Sequence, residues 1–454
     1  MRKIFAIAAT ALSFAVGAMD VTADGVRYVV ANRGAATAEF CPFAAGERLY
    51  LRSCVVIDAC RFPVEEAEKS AASDRSADSL FRTLLKVFIP AGVKSIGRQC
   101  FSGCVKLAEV TFEYGSGLLE IADKAFFGSS ELRFVFIPAG AEIIGGSCFK
   151  YCRSLREVTF EVGSKLREIR ESAFGWSGLR SAFIPASAEV IGRYCFENCS
   201  SLKEVKFESG SKLRKIGNEA FCRSNLLSIH IPASVKSIGR DCFICCGCLA
   251  EVIFEYGSEL REIEEHTFGW SNLHSIRIPA STEIISPRCF EGCRNPEEIT
   301  FEPGSKLREI GYEAFVGSGL RSMCIPAGVE TIGASCFWGC RNLEKITFEP
   351  GSKLREIGCE AFVGSGLRSM CIPAGVETIG ASCFWGCRNL GEITFEAGSK
   401  IQETAGDTFR NYPRPKSSIP ARNTSSLPRR DRGRRRARGE FFSAAKSDVS
   451  SILP

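Results

Sequence analysis

The sequence repeats with a period of 47 residues, and a chain with such a period folds as a stack of similar units. An Ile-Pro pair returns after 48 residues and then six times after 47. Each unit has two halves of 23 or 24 residues with one pattern, Leu-x-x-(Ile/Met)-x-(Ile/Phe), a turn, Ile-Gly, and (Cys/Ala)-Phe-x-x-(Cys/Ser). The halves predict about 14 rungs. The Ile-Pro pairs begin at Ile89, Ile137, Ile184, Ile231, Ile278, Ile325, Ile372 and Ile419.

Two neighbouring units are almost identical, which shows that the array has grown by duplication. Residues 304–350 and 351–397 differ at only four positions. A stack in which each unit contacts only its neighbours tolerates such changes in repeat number. The four differences are Tyr312/Cys359, Glu344/Gly391, Lys345/Glu392 and Pro350/Ala397.

Each half-repeat predicts one strand that faces a shared core. In Leu343-x-x-Ile346-x-Phe348, the last two residues are two positions apart and therefore lie on the same face of a strand. Strands of successive rungs stack in parallel at about 4.8 Å, and Phe337 and Phe362 would then join an internal aromatic column. We expect an α/β repeat solenoid with a stacked parallel sheet whose ends need caps.

The alternation of IPAGVETIG…CFxGC with ITFE.GSKLREIG.EAF resembles the BspA-like leucine-rich-repeat family. The pattern recurs in register over residues 80–410. The resemblance implies a secreted or cell-surface protein of a microbe that acts in adhesion or interaction and has no enzymatic activity. Two departures occur in one unit, where Ser286-Pro287 replaces Ile-Gly and Pro296 replaces the leucine. We expect a local irregularity at 286–296.

The N-terminus has the pattern of a secretory signal peptide over residues 1–18. Arg2 and Lys3 precede an uncharged apolar run over residues 4–17. The run is short for a membrane-spanning helix, which needs about 20 apolar residues. An uncleaved anchor or a chance apolar start would leave the same pattern. We predict a signal peptide and a secreted or cell-surface location.

The limits of the repeat divide the rest of the chain. We expect a capping region at 19–79, the solenoid at 80–410, and a degenerate repeat with a basic tail at 411–454. From Asn411 onward there are 11 Lys and Arg against 3 Asp and Glu, whereas the preceding residues carry a net charge of −2. The basic character of the chain therefore lies in its tail.

The tail contains seven arginines within ten residues, a composition typical of disorder. Such a segment would bind a polyanion through charge, or would only keep the chain soluble. An alternative function follows from it, an intracellular protein-interaction scaffold whose tail binds polyanions. The candidate polyanion-binding residues are Arg429, Arg430, Arg432, Arg434, Arg435, Arg436 and Arg438.

Of 23 cysteines, 14 form seven Cys-Phe-x-x-Cys pairs, and Ala and Ser occupy the same positions in the intervening half-repeats. The nearest cysteine in a column would be two rungs away, about 9–10 Å, which exceeds the reach of a disulfide. We expect small buried thiols. Strained bridges within a pair stay an alternative, as does a metal or disulfide at Cys242 to Cys248, and a redox or metal protein is a third functional class.

The sequence contains no motif that predicts catalysis. The three histidines, His230, His266 and His274, have no metal-ligand spacing, and no nucleophile elbow or phosphate loop occurs. We expect no enzymatic activity, no catalytic or metal-binding residues, no cofactor and no small-molecule substrate. A glutamate recurs after the Phe of alternate strands, as at Glu302 and Glu349. It predicts a solvated edge, with cation binding as the alternative.

The strand position between the two inward residues points outward and varies from rung to rung. A variable position on a rigid repeated frame is where binding specificity is set. We predict that the partner is a protein or other macromolecule, with a host or neighbouring cell surface as its source. The alternative is that residues 20–79 cover the phenylalanines. The candidate partner-binding residues are Phe88, Phe136, Phe183, Lys206, His230 and Arg277.

Overall fold

A computed structural model describes residues 93–401 except 297, with Ala91, Asp407 and Thr408. It also describes the backbone of strands at 19–23, 26–31, 37–38, 55–59, 84–89 and 403–404, and the side chains of Lys86, Val87 and Ile89. The predicted signal peptide at 1–18 and the arginine tail lie outside the described residues. The side chain of Phe88 lies outside them as well.

The described chain winds into a solenoid in which every rung contributes one long strand. Neighbouring long strands run in parallel, as in the pairing of Thr159 with Phe136 and of Lys206 with Phe183. The described rungs bear out the expected array of about 14. The long strands are Leu84–Ile89, Glu109–Phe112, Phe134–Ile137, Glu157–Phe160, Ser181–Ile184, Glu204–Phe207, Ser228–Ile231, Glu251–Phe254, Ser275–Ile278, Glu298–Phe301, Ser322–Ile325, Lys345–Phe348, Ser369–Ile372 and Glu392–Phe395.

A second parallel sheet is built from the short, two-residue strands of the rungs, all of which end in Ile except the last, which ends in Thr404. It runs without interruption through the described rungs. The two sheets enclose the core, because each rung passes from its long strand through a turn to its short strand. The short strands are Ser95–Ile96, Glu120–Ile121, Ile143–Ile144, Glu168–Ile169, Val190–Ile191, Lys215–Ile216, Ser237–Ile238, Glu262–Ile263, Ile284–Ile285, Glu309–Ile310, Thr331–Ile332, Glu356–Ile357, Thr378–Ile379 and Glu403–Thr404.

Four strands precede the first rung and extend both sheets at one edge. Three of them form an antiparallel series that pairs with Leu84–Ile89. The fourth pairs in parallel with Ser95–Ile96. These strands therefore continue the sheets beyond the first rung. They are Met19–Ala23, Val26–Ala31, Thr37–Ala38 and Val55–Ala59.

The third side of each rung is a series of turns, so the α part of the α/β prediction is wrong for the described residues, which contain no helix. Two residues in each such series have left-handed backbones, for example Ser147 (φ 54°) and Tyr151 (φ 64°). Alternate amides donate across rungs, as Phe101 N–H does to the Ala125 carbonyl at 2.7 Å. Because a helix needs right-handed residues and bonds within its own segment, neither feature permits one.

The core is organised around a stacked column of phenylalanines, as predicted. Rings of successive rungs lie 5.2–5.6 Å apart, and Phe337 and Phe362 are 5.2 Å apart and parallel within 2°. Both side chains are fully buried. Such contacts bury large apolar area, and each ring depends on the rungs above and below it.

The irregularity expected at 286–296 does not interrupt the stack. Ile284–Ile285 pairs in register with the short strands on both sides. Pro287 removes no rung-to-rung backbone bond, because the equivalent amides of Gly146 and Arg240 donate to side-chain carboxylates instead. Proline is therefore tolerated at this position.

The recurring glutamates lie at a solvated edge, as expected, since Glu208 and Glu349 among others are exposed, and they also have a structural role that the sequence analysis missed. Each carboxylate accepts the amide N–H of the alanine that follows Ile-Pro in the preceding rung, at 2.8–3.1 Å. Proline has no amide hydrogen, and the next amide lies in the turn without a backbone acceptor. The side chain supplies that acceptor. We call this contact the Glu–Ala clamp; its glutamates are Glu113, Glu161, Glu208, Glu255, Glu302, Glu349 and Glu396.

We predict that Glu302→Ala lowers the free energy of unfolding by about 1–2 kcal/mol, because the Ala280 amide loses a charged acceptor. Glu302→Gln should cost less, since an amide oxygen still accepts. Chemical denaturation of the full chain measures both values. The control is Glu298→Ala at the start of the strand that precedes Glu302. Its side chain is exposed and has no described polar partner, so the change should alter the free energy of unfolding little. Equal losses for Glu302→Ala and Glu298→Ala would contradict the clamp.

Candidate binding surface

The long-strand sheet presents one residue per rung outward between two inward residues. In Phe134–Ile137 and Ser181–Ile184 the first and third side chains are exposed and the second and fourth are buried. This alternation is the period of a strand with one face in the core and the other in solvent. It places the predicted binding residues in one column along the solenoid.

The structure brings most of the candidate residues to that column. Phe136 and Phe183 are 44% and 43% exposed, which is high for phenylalanine. Lys206, His230 and Arg277 are exposed in the same column. The outward orientation of these five side chains is therefore confirmed, while their role in binding stays a prediction.

The N-terminal strands do not cover this column. Their pairing with Leu84–Ile89 places them beside the first rung, at the edge of the sheet. The interpretation in which residues 20–79 bury Phe136 and Phe183 stays an alternative, because most of that segment lies outside the described residues.

A row of basic side chains beside the column was missed in the sequence analysis. Arg133, Arg156, Arg180 and Lys203 occupy the same position on four successive rungs and are all exposed. The amides of Arg156, Arg180 and Lys203 each donate to the carbonyl of the basic residue one rung earlier, at 2.8–3.1 Å, so the four residues are directly stacked. We call them the basic row. The signal was available, since each follows the Leu that opens its half-repeat.

The paired cysteines are buried, as expected, and take part in hydrogen bonds. The Cys199 thiol donates to the Phe174 carbonyl at 3.1 Å and contacts the Ser177 hydroxyl at 3.4 Å. Burial raises the pKa of Cys199 to about 11, so its thiol stays protonated and unreactive at neutral pH. The described residues hold no group of three or more side chains arranged to bind a metal ion.

One charged cluster lies on the turn side, away from the column. His266 Nδ1 is 3.3 Å from Asp241 Oδ1, and its Nε2 is 3.3 Å from Glu291 Oε2. Hydrogen bonds to Asp241 and then Glu291 raise the pKa of His266 to about 9. Because both ring nitrogens donate to carboxylates, this histidine has no free nitrogen for a nucleophile or a metal. The cluster therefore stabilises neighbouring rungs.

The charge on His266 predicts a pH dependence of stability. A pKa raised from 6.5 to about 9 means that the folded chain holds the proton more tightly. The stabilisation is complete below pH 6.5 and is lost as the pH rises through about 9, and it amounts to about 2–3 kcal/mol. Denaturation midpoints at pH 7 and pH 10 should differ more in the wild type than in His266→Gln.

The matched control is His274→Gln, which replaces an exposed histidine and should keep the wild-type pH profile. An NMR titration of the His266 imidazole provides the direct measurement. A titration midpoint near 6.5 would contradict the raised pKa and remove the reason for the effect.

The chain matches a known family model and several solved structures. The model for the BspA type leucine rich repeat region matches in six copies, over residues 80–203, 119–250, 167–297, 261–391 and 308–425. A leucine-rich repeat protein from Bacteroides ovatus is 25% identical, with a TM-score of 0.63, and the match covers 86% of this chain and 92% of that one. No curated protein sequence matches the chain.

Two further solved structures are similar. The pneumococcal vaccine antigen PcpA is 19% identical, with a TM-score of 0.40, over 80% of this chain and 93% of that one. A leucine rich cell surface protein from Faecalibacterium prausnitzii is 21% identical, with a TM-score of 0.32, over 74% of this chain and 96% of that one.

The matched residues run from 80 to 425 and include the stacked rungs described above. A leucine-rich-repeat array offers a continuous surface suited to binding other macromolecules, and such arrays are typically not enzymes. None of the described residues forms a helix able to span a membrane. The expected resemblance is confirmed, and the chain belongs to the BspA-type leucine-rich-repeat family.

Proposed function

We propose that this protein is a secreted or cell-surface adhesion protein that binds a macromolecule through the outward face of its long strands, without catalysis. The contrast between core and surface along one strand supports this proposal. Ile231 and Ile278 are buried in successive units at the same inward position, whereas the neighbouring outward residues change from His230 to Arg277. A rigid frame with one variable face is suited to selective binding.

The two outward phenylalanines are the proposed anchors. Aromatic side chains supply much of the binding free energy at protein interfaces because they bury large area with few rotatable bonds. Phe136 and Phe183 lie two rungs apart, about 9–10 Å by strand spacing. Lys206, paired with Phe183, gives a polar flank. A partner that contacts both phenylalanines would span several rungs.

We predict that Phe136→Ser with Phe183→Ser weakens binding of the purified full chain to cultured host cells by at least about tenfold. Flow cytometry with fluorescently labelled protein measures the binding. The matched control, Tyr114→Ser with Val162→Ser, removes two apolar side chains that are 96% and 97% exposed at turns after long strands. Unchanged circular dichroism shows that each variant is folded. Equal binding by both variants would exclude the column as the adhesion site.

The location is tested with an antibody against residues 304–397, applied to intact and to permeabilised cells of the source organism. We expect labelling of intact cells, because residues 1–18 have the pattern of an export signal. Labelling only after permeabilisation would contradict export. It would favour the intracellular scaffold whose tail, Arg429 to Arg438, binds polyanions.

A further inference from the structure

We propose that the basic row and the phenylalanines beside it bind an extended, acidic polypeptide segment that also carries apolar side chains. This inference rests on the proposed function, since it names the partner of the same face. The surface consists of the basic row (Arg133, Arg156, Arg180 and Lys203) and three exposed phenylalanines (Phe134, Phe136 and Phe183).

The basic row is unfavourable in the free protein. Its four positive side chains lie just before the long strands, at backbone positions one rung apart, about 4.8 Å by strand spacing, and like charges this close repel one another. In the described structure none of the four side chains makes an ion pair or a hydrogen bond. A local arrangement that costs stability and has no internal compensation is characteristic of a functional site.

The same position in the C-terminal rungs shows the compensated arrangement. Arg321, Glu344 and Arg368 alternate in sign on three successive rungs, and their amides form the same ladder. The Arg368 guanidinium is 3.1 Å from the Glu344 carboxylate. The repeat is therefore compatible with charge pairing at this position, so four unpaired positive charges are a local property of residues 133–203.

The chemistry of the surface favours a polypeptide over a uniformly charged polymer. Two exposed glutamates, Glu157 and Glu204, open the long strands that follow Arg156 and Lys203, where they would repel the continuous charge of a nucleic acid or a sulfated polysaccharide. The phenylalanines need apolar groups opposite them. A peptide can place carboxylates over the basic row and apolar side chains over the phenylalanines, and can avoid the glutamates.

The dimensions also fit an extended peptide that runs along the solenoid. The basic row spans about 14 Å, three rung spacings. An extended chain rises about 3.3 Å per residue and points alternate side chains to the same side. Two or three acidic residues at alternate positions would therefore face the four basic groups. The residues between them would reach the column that contains Phe136 and Phe183.

The test measures binding of the full chain to a fluorescein-labelled synthetic peptide of repeated Glu-Leu-Glu-Phe by fluorescence polarisation. We expect saturable binding that weakens with salt. Arg156→Glu with Arg180→Glu should weaken binding by at least about tenfold. Arg156→Gln with Arg180→Gln removes the two charges without reversing them and should weaken binding of the peptide less. This variant replaces the first one if charge reversal disturbs folding. The matched control is Arg321→Glu with Arg368→Glu, an equal charge change at the same rung position, which should leave the affinity within about twofold.

Each result supports or overturns the inference. No binding of the peptide by the wild type would overturn it, as would an equal loss in the control variant. A further outcome is that heparin or oligo-dT binds more tightly than the peptide, in a way that also depends on Arg156 and Arg180. That result would overturn the assignment of a polypeptide partner and favour a uniformly charged polyanion. The adhesion assay with Phe136→Ser and Phe183→Ser is independent of the peptide. If adhesion falls while the peptide fails to bind, the proposed function stands and only the partner class is wrong.

Discussion

The structure depends on hydrogen bonds between rungs, which run in opposite directions on different sides of the solenoid. On the strand sides an amide donates to the preceding rung, as Glu113 N–H does to the Ile89 carbonyl at 2.9 Å. On the turn side an amide donates to the following rung, as Phe101 does to Ala125. A rung therefore satisfies its backbone only when both neighbours are present. A single rung is therefore not stable on its own, and the stability of the solenoid increases with the number of stacked rungs.

The sequence predicted the solenoid because its strongest signals are periodic. The spacing of the phenylalanines and of the Ile-Pro pairs determines which residues stack, and the structure has the ring of Phe337 stacked on that of Phe362. The absence of helix was not predictable in the same way, because left-handed residues such as Ser147 and Tyr151 leave no compositional mark comparable to glycine. Their conformation is held by bonds to residues 24 or so positions away in sequence.

The clamp glutamates and the basic row were hidden for a related reason. Periodicity shows that a glutamate recurs, and it does not show that an alanine amide 22 residues earlier lacks an acceptor. The outward orientation of Phe136 and Phe183 was predictable from strand alternation alone. The basic row needed the register between rungs, since only stacking places Arg133 beside Arg156. The alternation of residues along one strand therefore predicts which side chains face outward. The alignment of neighbouring rungs is needed to show which of the outward charges have no partner.

The Glu–Ala clamp also constrains how the array can change length. A clamp needs a rung with Glu above a rung with Ile-Pro-Ala, so the two kinds of half-repeat must alternate. Insertion of one half-repeat would place two like rungs together. Two adjacent Ile-Pro rungs would leave an alanine amide without its acceptor, and two adjacent Glu rungs would leave a carboxylate without its donor. A whole unit of 47 residues preserves every contact and lengthens the solenoid by about 10 Å. The near-identity of 304–350 and 351–397 is consistent with duplication of a whole unit, that is, of two half-repeats together. Recombination could thus lengthen or shorten the solenoid in whole units, which changes the distance between its two ends without altering the residues at either end.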